Sequence, residues 1–427
     1  MIDPQETLGQ RIRRLRRAKG MTQNELADGF VTISMISQVE SGKNTPSVEL
    51  VQHIAKKLQV PLHALMRNEI EQMETAWKHQ LAKVYLLTKE AAEAEPLLLD
   101  LLELADLSHA QQVELNIDLA ESYYLQQKYD EVLRLLMPIV QELEALIYED
   151  ARLLALSHLT IGNAYYQKQS YSNAGYHYRR AYDLTLRFPV FDQLAARIAY
   201  HTGITLQLQG NHQEAEFYLL KANDFFSRTD HLYGVAATMM AQAITYKNIQ
   251  KYHLASESLS TAYRIFQALN LQLESANVLL TKAANITVNE DPQLAINELQ
   301  DCITAFQENG QKKDLVIAYS KLADAQLRLQ HYQDARTSLD RASSLIAEDS
   351  LTNSLESAEC YHVFARYYFA NREYQLAINY ALKSSEFFGS VGMTSDQVLS
   401  IQIAYDSYHQ LEMLEQDQEE THEERLK

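Results

Sequence analysis

The chain has 427 residues, a formal net charge of -18, and only 7 Pro and 12 Gly. This length is too great for one compact domain, and the scarcity of helix breakers, with no alternating apolar stretch, predicts an all-α protein. No apolar run reaches membrane-spanning length, no signal-peptide core opens the chain, and Cys302 and Cys360 lack metal-ligand neighbours. We therefore expect a cytoplasmic protein with reduced core thiols and no metal, cofactor or membrane partner.

Five short helices are predicted in the first 66 residues. The first is amphipathic, and the second begins at a capping box in which Thr22 and Glu25 bond to each other's backbone. Thr32 is positioned to cap a third helix, and Pro61 begins the fifth. This block carries nine Lys and Arg against six Asp and Glu, a net charge of +3, which leaves -21 on the remainder of the chain. This division of charge indicates a weakly basic domain that can bind nucleic acid, attached to an acidic remainder of the chain.

The segments RIRRLRRAKGMTQNELA, ISQVESGKNTPS and IAKKLQVPLHAL in this block resemble the phage-repressor-like, Xre-type helix-turn-helix domain. The resemblance implies that Gln23, at the start of the second helix, clamps a DNA phosphate. It also implies that the third helix enters the major groove. Carried over by position, the candidate groove residues are Thr32, Ile33, Ser34, Ser37 and Gln38, and the candidate backbone contacts are Lys43 and Asn44.

The third helix departs from the common pattern of base readers because it contains no Arg or Lys. A bidentate cation is therefore not available from it to read guanine. Gln38 can bond adenine, and Ile33 or Met35 can contact a thymine methyl group, so we expect an A/T-leaning site. We interpret Glu40 as structural, paired with Arg11 or Arg14.

Beyond this block, a small-large pattern of side chains repeats every 40 to 42 residues. The repeat anchors are Val132, Ala174, Ala215, Ala255, Ala295, Ala335 and Ala377. Twelve residues before them stand Ala120, Gly162, Gly203, Ala243, Ala283, Ala323 and Ala365. Two antiparallel helices approach closely where one is small and the other bulky, so each copy is predicted to be a helical hairpin. The period and turns resemble the tetratricopeptide repeat, which implies a right-handed superhelix.

The predicted organisation has four parts, and a degenerate early repeat is expected between Ile70 and Ala105. The parts are a helix-turn-helix domain (1–66), a linker helix with the degenerate first repeat (67–109), seven tetratricopeptide-like repeats (110–393), and a capping helix with an acidic tail (394–427).

A short Xre-type head before a long helical-repeat body resembles the Gram-positive peptide-pheromone receptors of the Rap, Rgg, NprR, PlcR and PrgX group, most closely the NprR-type members. The resemblance implies a quorum-sensing transcription regulator that binds double-stranded DNA through its head. A short signalling peptide would lie on the concave wall made by the first helix of each hairpin. Because one head of charge +3 is a weak binder at cellular salt, we expect a homodimer.

The concave positions follow from the hairpin register. Amide side chains suit an extended peptide backbone, and Arg197, Lys247 or Arg366 can hold a carboxylate. The candidate peptide-binding residues are Asn163, Tyr166, Arg197, Tyr200, Gln207, Met240, Lys247, Asn277, Asp324 and Arg366, and the register also nominates Glu121, Tyr124 and His362.

A second function remains open from the sequence, a repeat scaffold that sequesters a response-regulator pathway protein under peptide control. The DNA-reading head favours the first function but is compatible with both. No phosphate-binding loop, nucleophile elbow or metal spacing is present in the sequence, so we do not expect an enzyme.

Overall fold

In the computed structural model of the protein, the described residues are 6–104, 107–145 and 150–426, with the backbone alone described at 63, 67–72 and 415–426. Every regular element in these ranges is a helix, as predicted. None of the described helices is long and apolar enough to span a lipid bilayer. The chain forms two compact units, Met1–Gln127 and Lys128–Lys427.

The first unit holds eight helices within the described residues. They are α1 (Leu8–Ala18), α2 (Gln23–Ala27), α3 (Ile33–Glu40), α4 (Val48–Leu58), α5 (Leu62–Leu65), α6 (Arg67–Leu87), α7 (Ala91–Leu102) and α8 (His109–Leu125). The capping box of Thr22 and Glu25 is present, and Thr32 caps α3 through the Met35 amide. Ile12, Ile36 and other fully buried side chains from α1 to α5 form one core, so the five-helix prediction is confirmed.

Helices α6 and α7, where the degenerate early repeat is predicted, pack together. Ala82 on α6, and Ala94 and Leu98 on α7, are fully buried. Ala82 precedes Ala94 by twelve residues, which is the spacing found in the later repeats. The predicted ends of this copy, Ile70 and Ala105, lie outside the described side chains.

The second unit is a run of helical hairpins. Its helices are α9 (Tyr129–Ala145), α10 (Ala151–Gln167), α11 (Tyr171–Thr185), α12 (Gln193–Leu208), α13 (His212–Arg228), α14 (Leu232–Asn248), α15 (Tyr252–Ala268), α16 (Gln272–Lys282), α17 (Val288–Glu290), α18 (Pro292–Glu308), α19 (Lys312–Arg328), α20 (Tyr332–Glu348), α21 (Leu355–Ala370), α22 (Tyr374–Val391) and α23 (Thr394–Leu426). α23 extends to Leu426 and so includes the acidic end of the chain, where the sequence predicts a tail after the capping helix.

The side-chain size code is confirmed in this array. All seven anchors are fully buried. A Cβ added to Gly162 would lie 2.6 Å from the Tyr178 ring, and one added to Gly203 would lie 2.7 Å from Leu219. Four residues after each anchor lies a second buried position. It holds Leu136, Tyr178, Leu219, Leu259, Leu299, Leu339 and Ala381, so small residues on first helices face mostly leucines on second helices.

One hairpin departs from the others at its turn. Most hairpin turns contain a residue with positive φ, such as Gln169 or Gln250. In the copy with Pro292 at the start of its second helix, a π-helical segment (Ala283–Thr287) follows α16 instead, and Asp291 caps α18 in an extended conformation. Proline is favoured at a first helical position, and a π-bulge absorbs an extra residue without ending the helix.

The array closes on itself along one rim. The side chain of Gln169 accepts a hydrogen bond from the Leu355 amide at 3.1 Å, and Thr394 Oγ1 donates to the Gln209 carbonyl at 3.0 Å. Tyr171 shares an apolar cluster with residues of α22, including Phe388. The hairpins after α9 therefore form a ring-like wall around an interior groove.

Candidate functional sites

The third helix of the head presents one face outward. Ile36 and Val39 are buried, whereas half of the Ile33 side chain is exposed. The other predicted groove residues, Thr32, Ser34, Ser37 and Gln38, are also exposed, and so are Lys43 and Asn44 immediately after the helix. Asn44 lies against this face, because its Nδ2 is 3.0 Å from Met35 Sδ. The structure thus brings the predicted base-reading and backbone-binding residues of α3 onto one accessible surface.

A buried ion pair fixes α3 against α1. Arg16 donates to the Glu40 carboxylate twice, at 2.5 and 3.0 Å, and also to the Met21 carbonyl. Burial alone would raise the pKa of Glu40, but the hydrogen bonds from Arg16 and Gln23 outweigh it and hold the pKa below its ordinary value. Glu40 is therefore an ionised structural group.

The predicted partners of Glu40 were wrong. Arg14 instead forms a bidentate pair with Glu6, at 2.7 and 3.0 Å, and Arg11 bonds the Glu6 and Leu65 carbonyls. Arg16 lies two residues after Arg14 and five after Arg11. Its side chain therefore leaves α1 on a different face, which is directed toward α3 rather than toward the start of the chain.

Gln23 is held in place by the same network. Its Nε2 donates to Glu40 at 2.9 Å, and an amide nitrogen carries a second hydrogen. The side chain is half-buried at the start of α2, where backbone amides of the first turn also point outward. Arg13 is exposed, and its charge lowers the pKa of Glu40, so it lies on the same side of the head. Arg13 is not among the DNA-binding residues predicted from the sequence; its position one turn before Arg16 was the available signal.

The close approach of α1 and α3 depends on Gly9. A Cβ at this position would collide with the Val39 carbonyl oxygen, which is backbone and cannot move aside. Gly9 thus sets the depth at which α3 sits on the head, and with it the outward reach of Gln38.

The groove of the second unit has an aromatic region. Burial raises the pKa of Tyr200 on α12, and the nearby Tyr166 on α10 and Tyr233 on α14 raise it further. Tyr166 also meets Tyr171 edge to face, with ring centroids 5.3 Å apart. The predicted groove residues Tyr166 and Tyr200 are therefore brought together on consecutive first helices.

A charged region lies further along the groove. Arg366 pairs with Asp324, which also accepts from Arg328 at 3.4 Å. Lys321 pairs with Glu359 at 2.8 Å. A cavity of about 270 Å³ adjoins these groups; its lining residues are Leu327, Arg328, Arg366, Phe369, Ala370, Ile403 and Asp406. The predicted Asp324 and Arg366 are thus neighbours, but each is already engaged by the other.

The amide side chains predicted to bind the peptide differ in the hydrogen bonds that they already make within the protein. The Asn163 carbonyl oxygen accepts a hydrogen bond from the Tyr178 hydroxyl at 2.9 Å, so half of its bonding capacity serves the hairpin. Gln207 Oε1 lies 3.4 Å from the Thr245 hydroxyl across two first helices. Asn277 is half-buried. Asn277 therefore fits the predicted role better than Asn163 and Gln207, whose side-chain oxygens each already accept from a hydroxyl.

The remaining predicted groove residues are distributed unevenly. Met240 and Lys247 are half-buried on α14, whereas Arg197 on α12 is exposed. The ring of His362 bonds Ser400 at 2.9 Å. Glu121 and Tyr124 belong to the first unit.

The structure brings together one cluster of potential metal ligands that no spacing of residues in the sequence predicts. His79 on α6 lies 2.7 Å from Asp118 on α8, and Glu114 stands one turn before Asp118; donor atoms of the three are within 4.8 Å of one another. The Lys83 ammonium is 2.7 Å from Glu114 and 3.9 Å from Asp118. A lysine therefore already neutralises this cluster.

Comparisons with known proteins agree with both parts of the fold. A helix-turn-helix family model matches residues 12–65. The model of the soluble NSF attachment protein family, SNAP, matches residues 209–381. A search of curated proteins finds no significant match to the sequence. The chain therefore joins a helix-turn-helix domain to a tetratricopeptide-like array.

Solved structures with a similar fold include two Rap proteins. A Rap protein complexed with competence and sporulation factor is 15% identical with a TM-score of 0.54, over 80% of this chain and 99% of that one. The apo form of RapI is 13% identical with a TM-score of 0.52, over 65% and 99%. A signal-transduction ATPase with a tetratricopeptide repeat sensor, from Pyrococcus horikoshii, is 14% identical with a TM-score of 0.51, over 80% and 52%. At these identities the similarity concerns the fold alone.

Proposed function

We propose that the protein is a cytoplasmic transcription regulator of the NprR type, which reads DNA with α3 and is controlled by a short signalling peptide in the groove of its repeats. The observation that carries the DNA-binding part is the outward face of α3, held by the buried Arg16–Glu40 pair with Gln23 beside it. Its polar residues and Ile33 can contact base edges, while Gln23, Arg13 and Lys43 contact phosphates.

The peptide-binding part rests on the groove. First helices line it with tyrosines at one end and ionic groups at the other, a mixture that suits a short peptide with apolar and charged side chains. The hydrogen bond between Gln169 and Leu355 holds the ring closed. A peptide that contacts several hairpins stabilises the curvature of the array at which all of these contacts form. The protein acts by binding, without a catalytic step of its own.

We further propose a homodimer held by the repeat region. The described part of α23 exposes Val398, Ile401, Tyr405 and Tyr408, each of them at least 47% exposed. Their spacing puts them on one face of the helix, which a second copy can cover. A monomer in sedimentation of the full chain at micromolar concentration would remove this part of the proposal. Capture of a response-regulator pathway protein by that monomer would favour the sequestering scaffold instead.

The DNA-binding proposal is tested with two matched glutamines. A pool of random duplexes is first selected on the wild-type protein, and gel shifts then compare the selected site with random duplex. Gln38→Ala should lose about 1–3 kcal/mol on the selected site and little on random DNA, because it removes a base contact. Gln23→Ala should weaken both alike. Equal losses on both duplexes for Gln38→Ala would contradict the assignment of α3 as the reader.

A further inference from the structure

Lys247 differs from every other cation of the groove's charged region. It is half-buried on α14, and among the described residues no carboxylate lies within ion-pair distance of its amine. Burial lowers its pKa, and so do the nearby charges of Lys321 and Arg328, while Asp396 acts in the opposite direction. Charged groups of α19 and of the start of α23 therefore lie near enough to act on the amine, but none of the described carboxylates compensates its charge by direct contact.

The direct ion pairs of this region, among the described residues, leave the same residue without a partner. Arg366 and Arg328 pair with Asp324, and Lys321 pairs with Glu359. Asp396 acts on the Lys247 amine without an ion pair between them, and Asp406 lines the cavity beside Arg328 and Arg366. A half-buried ammonium without a direct partner is costly unless one arrives.

The other cations are less suited to bind an incoming anion than Lys247 is. Arg366 is committed to Asp324, and Lys321 to Glu359 at 2.8 Å. Arg197, the third predicted carboxylate binder, is exposed on α12, where water competes for its charge. Of these buried or half-buried cations, Lys247 is the one for which the described residues provide no carboxylate within ion-pair distance.

We propose that Lys247 is the anion subsite of the groove, where it binds a carboxylate of the peptide, either its C-terminus or an Asp or Glu side chain. This inference rests on the proposed peptide-binding function and narrows it to peptides that carry an acidic group at one defined position. The tyrosines at 166 and 200 would then contact residues of the same peptide further along the groove, since the charged and aromatic regions lie on one series of first helices.

The test starts from a pool of random heptapeptides with free C-termini, captured on the full-length wild-type protein and sequenced. The tightest peptide is then measured by calorimetry on wild type, on Lys247→Gln, and on Arg341→Gln. Arg341 is an exposed cation on the second helix α20 and serves as the matched control. Each protein is also measured with analogues in which one carboxylate at a time is replaced by its amide.

The expected result is a loss of about tenfold or more in affinity on Lys247→Gln and none on Arg341→Gln, because a charge-assisted hydrogen bond disappears. One amide analogue should lose a similar factor on wild type and nothing further on Lys247→Gln. Thermal unfolding of Lys247→Gln should occur no lower than that of wild type, since the substitution removes an uncompensated charge.

Two results would overturn the inference while leaving peptide binding intact. One is undiminished affinity on Lys247→Gln, and the other is a further loss when amide analogue and variant are combined, which would place the carboxylate elsewhere. Failure of the wild-type protein to capture any peptide would overturn the proposed peptide-binding function itself, and this inference with it.

Discussion

The head and the repeat array use buried charge in opposite ways. Among the described residues, the head buries Glu6, Arg11, Arg16 and Glu40, and each has a hydrogen-bonded or ionic partner. The much larger second unit buries one Asp, Glu, Lys or Arg side chain, Glu356, and packs its hairpins with small residues against leucines. The head is therefore fixed by two ionic clusters, one at Glu6 and one at Glu40, whereas the array distributes its stability over many equivalent contacts. Damage should spread through the head but remain local in the array.

The largest effect should come from breaking the buried Arg16–Glu40 pair. Arg16→Met keeps the apolar stem but leaves the Glu40 carboxylate buried without its bidentate partner, which should cost the head about 3–5 kcal/mol. Hydrogen exchange measured by mass spectrometry on peptides from α1 and α3 reports this loss. Arg17→Met, one position along α1 with an exposed side chain, is the control. If both variants exchange alike, the buried pair does not stabilise the head.

The array should instead be sensitive to acid through a buried histidine pair. His158 Nδ1 lies 3.0 Å from His177 Nδ1, and His158 Nε2 lies 3.4 Å from Glu144. Two ring nitrogens can bond only if one is protonated and the other is not. The orientation that also satisfies Glu144 has His177 donating to His158, with both rings neutral. Burial, with the neighbouring His158, lowers the pKa of His177 to about 4.

The sign of the pH effect follows from linkage. The unfolded chain protonates His177 near its ordinary pKa, while the folded array resists protonation down to about pH 4. Stability is therefore complete above about pH 6.5 and falls by about 3 kcal/mol as the pH drops toward 4. Urea unfolding of wild type and His177→Gln at pH 7.5 and 4.5 measures this, with exposed His253→Gln as control. Equal acid sensitivity of wild type and His177→Gln would contradict it.

In both regions the sequence could predict local features but not the partners that side chains meet across the fold. Caps, helix order and the small-large code depend on neighbours along the chain, so Thr22, Thr32 and the glycine or alanine at 162 and its equivalents could be assigned from sequence alone. Partners across the fold could not. Arg11, Arg14 and Arg16 all lie on one basic helix, and which of them meets Glu40 depends on how α1 is rotated in the core. Likewise, the Tyr178 hydroxyl reaches Asn163, and Asp324 binds Arg366, through contacts between helices that no local pattern encodes.

The smallest effect tests whether the pairing of a small residue with a leucine, as in the later repeats, also fits the repeat that contains Gly162. Gly162→Ala adds a Cβ 2.6 Å from the Tyr178 ring, which should cost about 1–3 kcal/mol, offset by about 1 kcal/mol of helix propensity. Adding Tyr178→Leu makes the pair Ala facing Leu, the combination found at Ala243 with Leu259 and in two later copies.

The second substitution should therefore be less harmful in the Gly162→Ala background than alone, where Tyr178→Leu leaves a void and removes the bond to Asn163. A double-mutant cycle by urea unfolding gives this coupling, expected to be favourable by about 1 kcal/mol. Because hairpins contact mainly their neighbours in the chain, hydrogen exchange should change in α10 and α11 and stay unaltered in α19 and α20. Additive losses would mean that the two positions do not face each other as a size-matched pair, and spreading of the change to α19 would contradict the local character of the array.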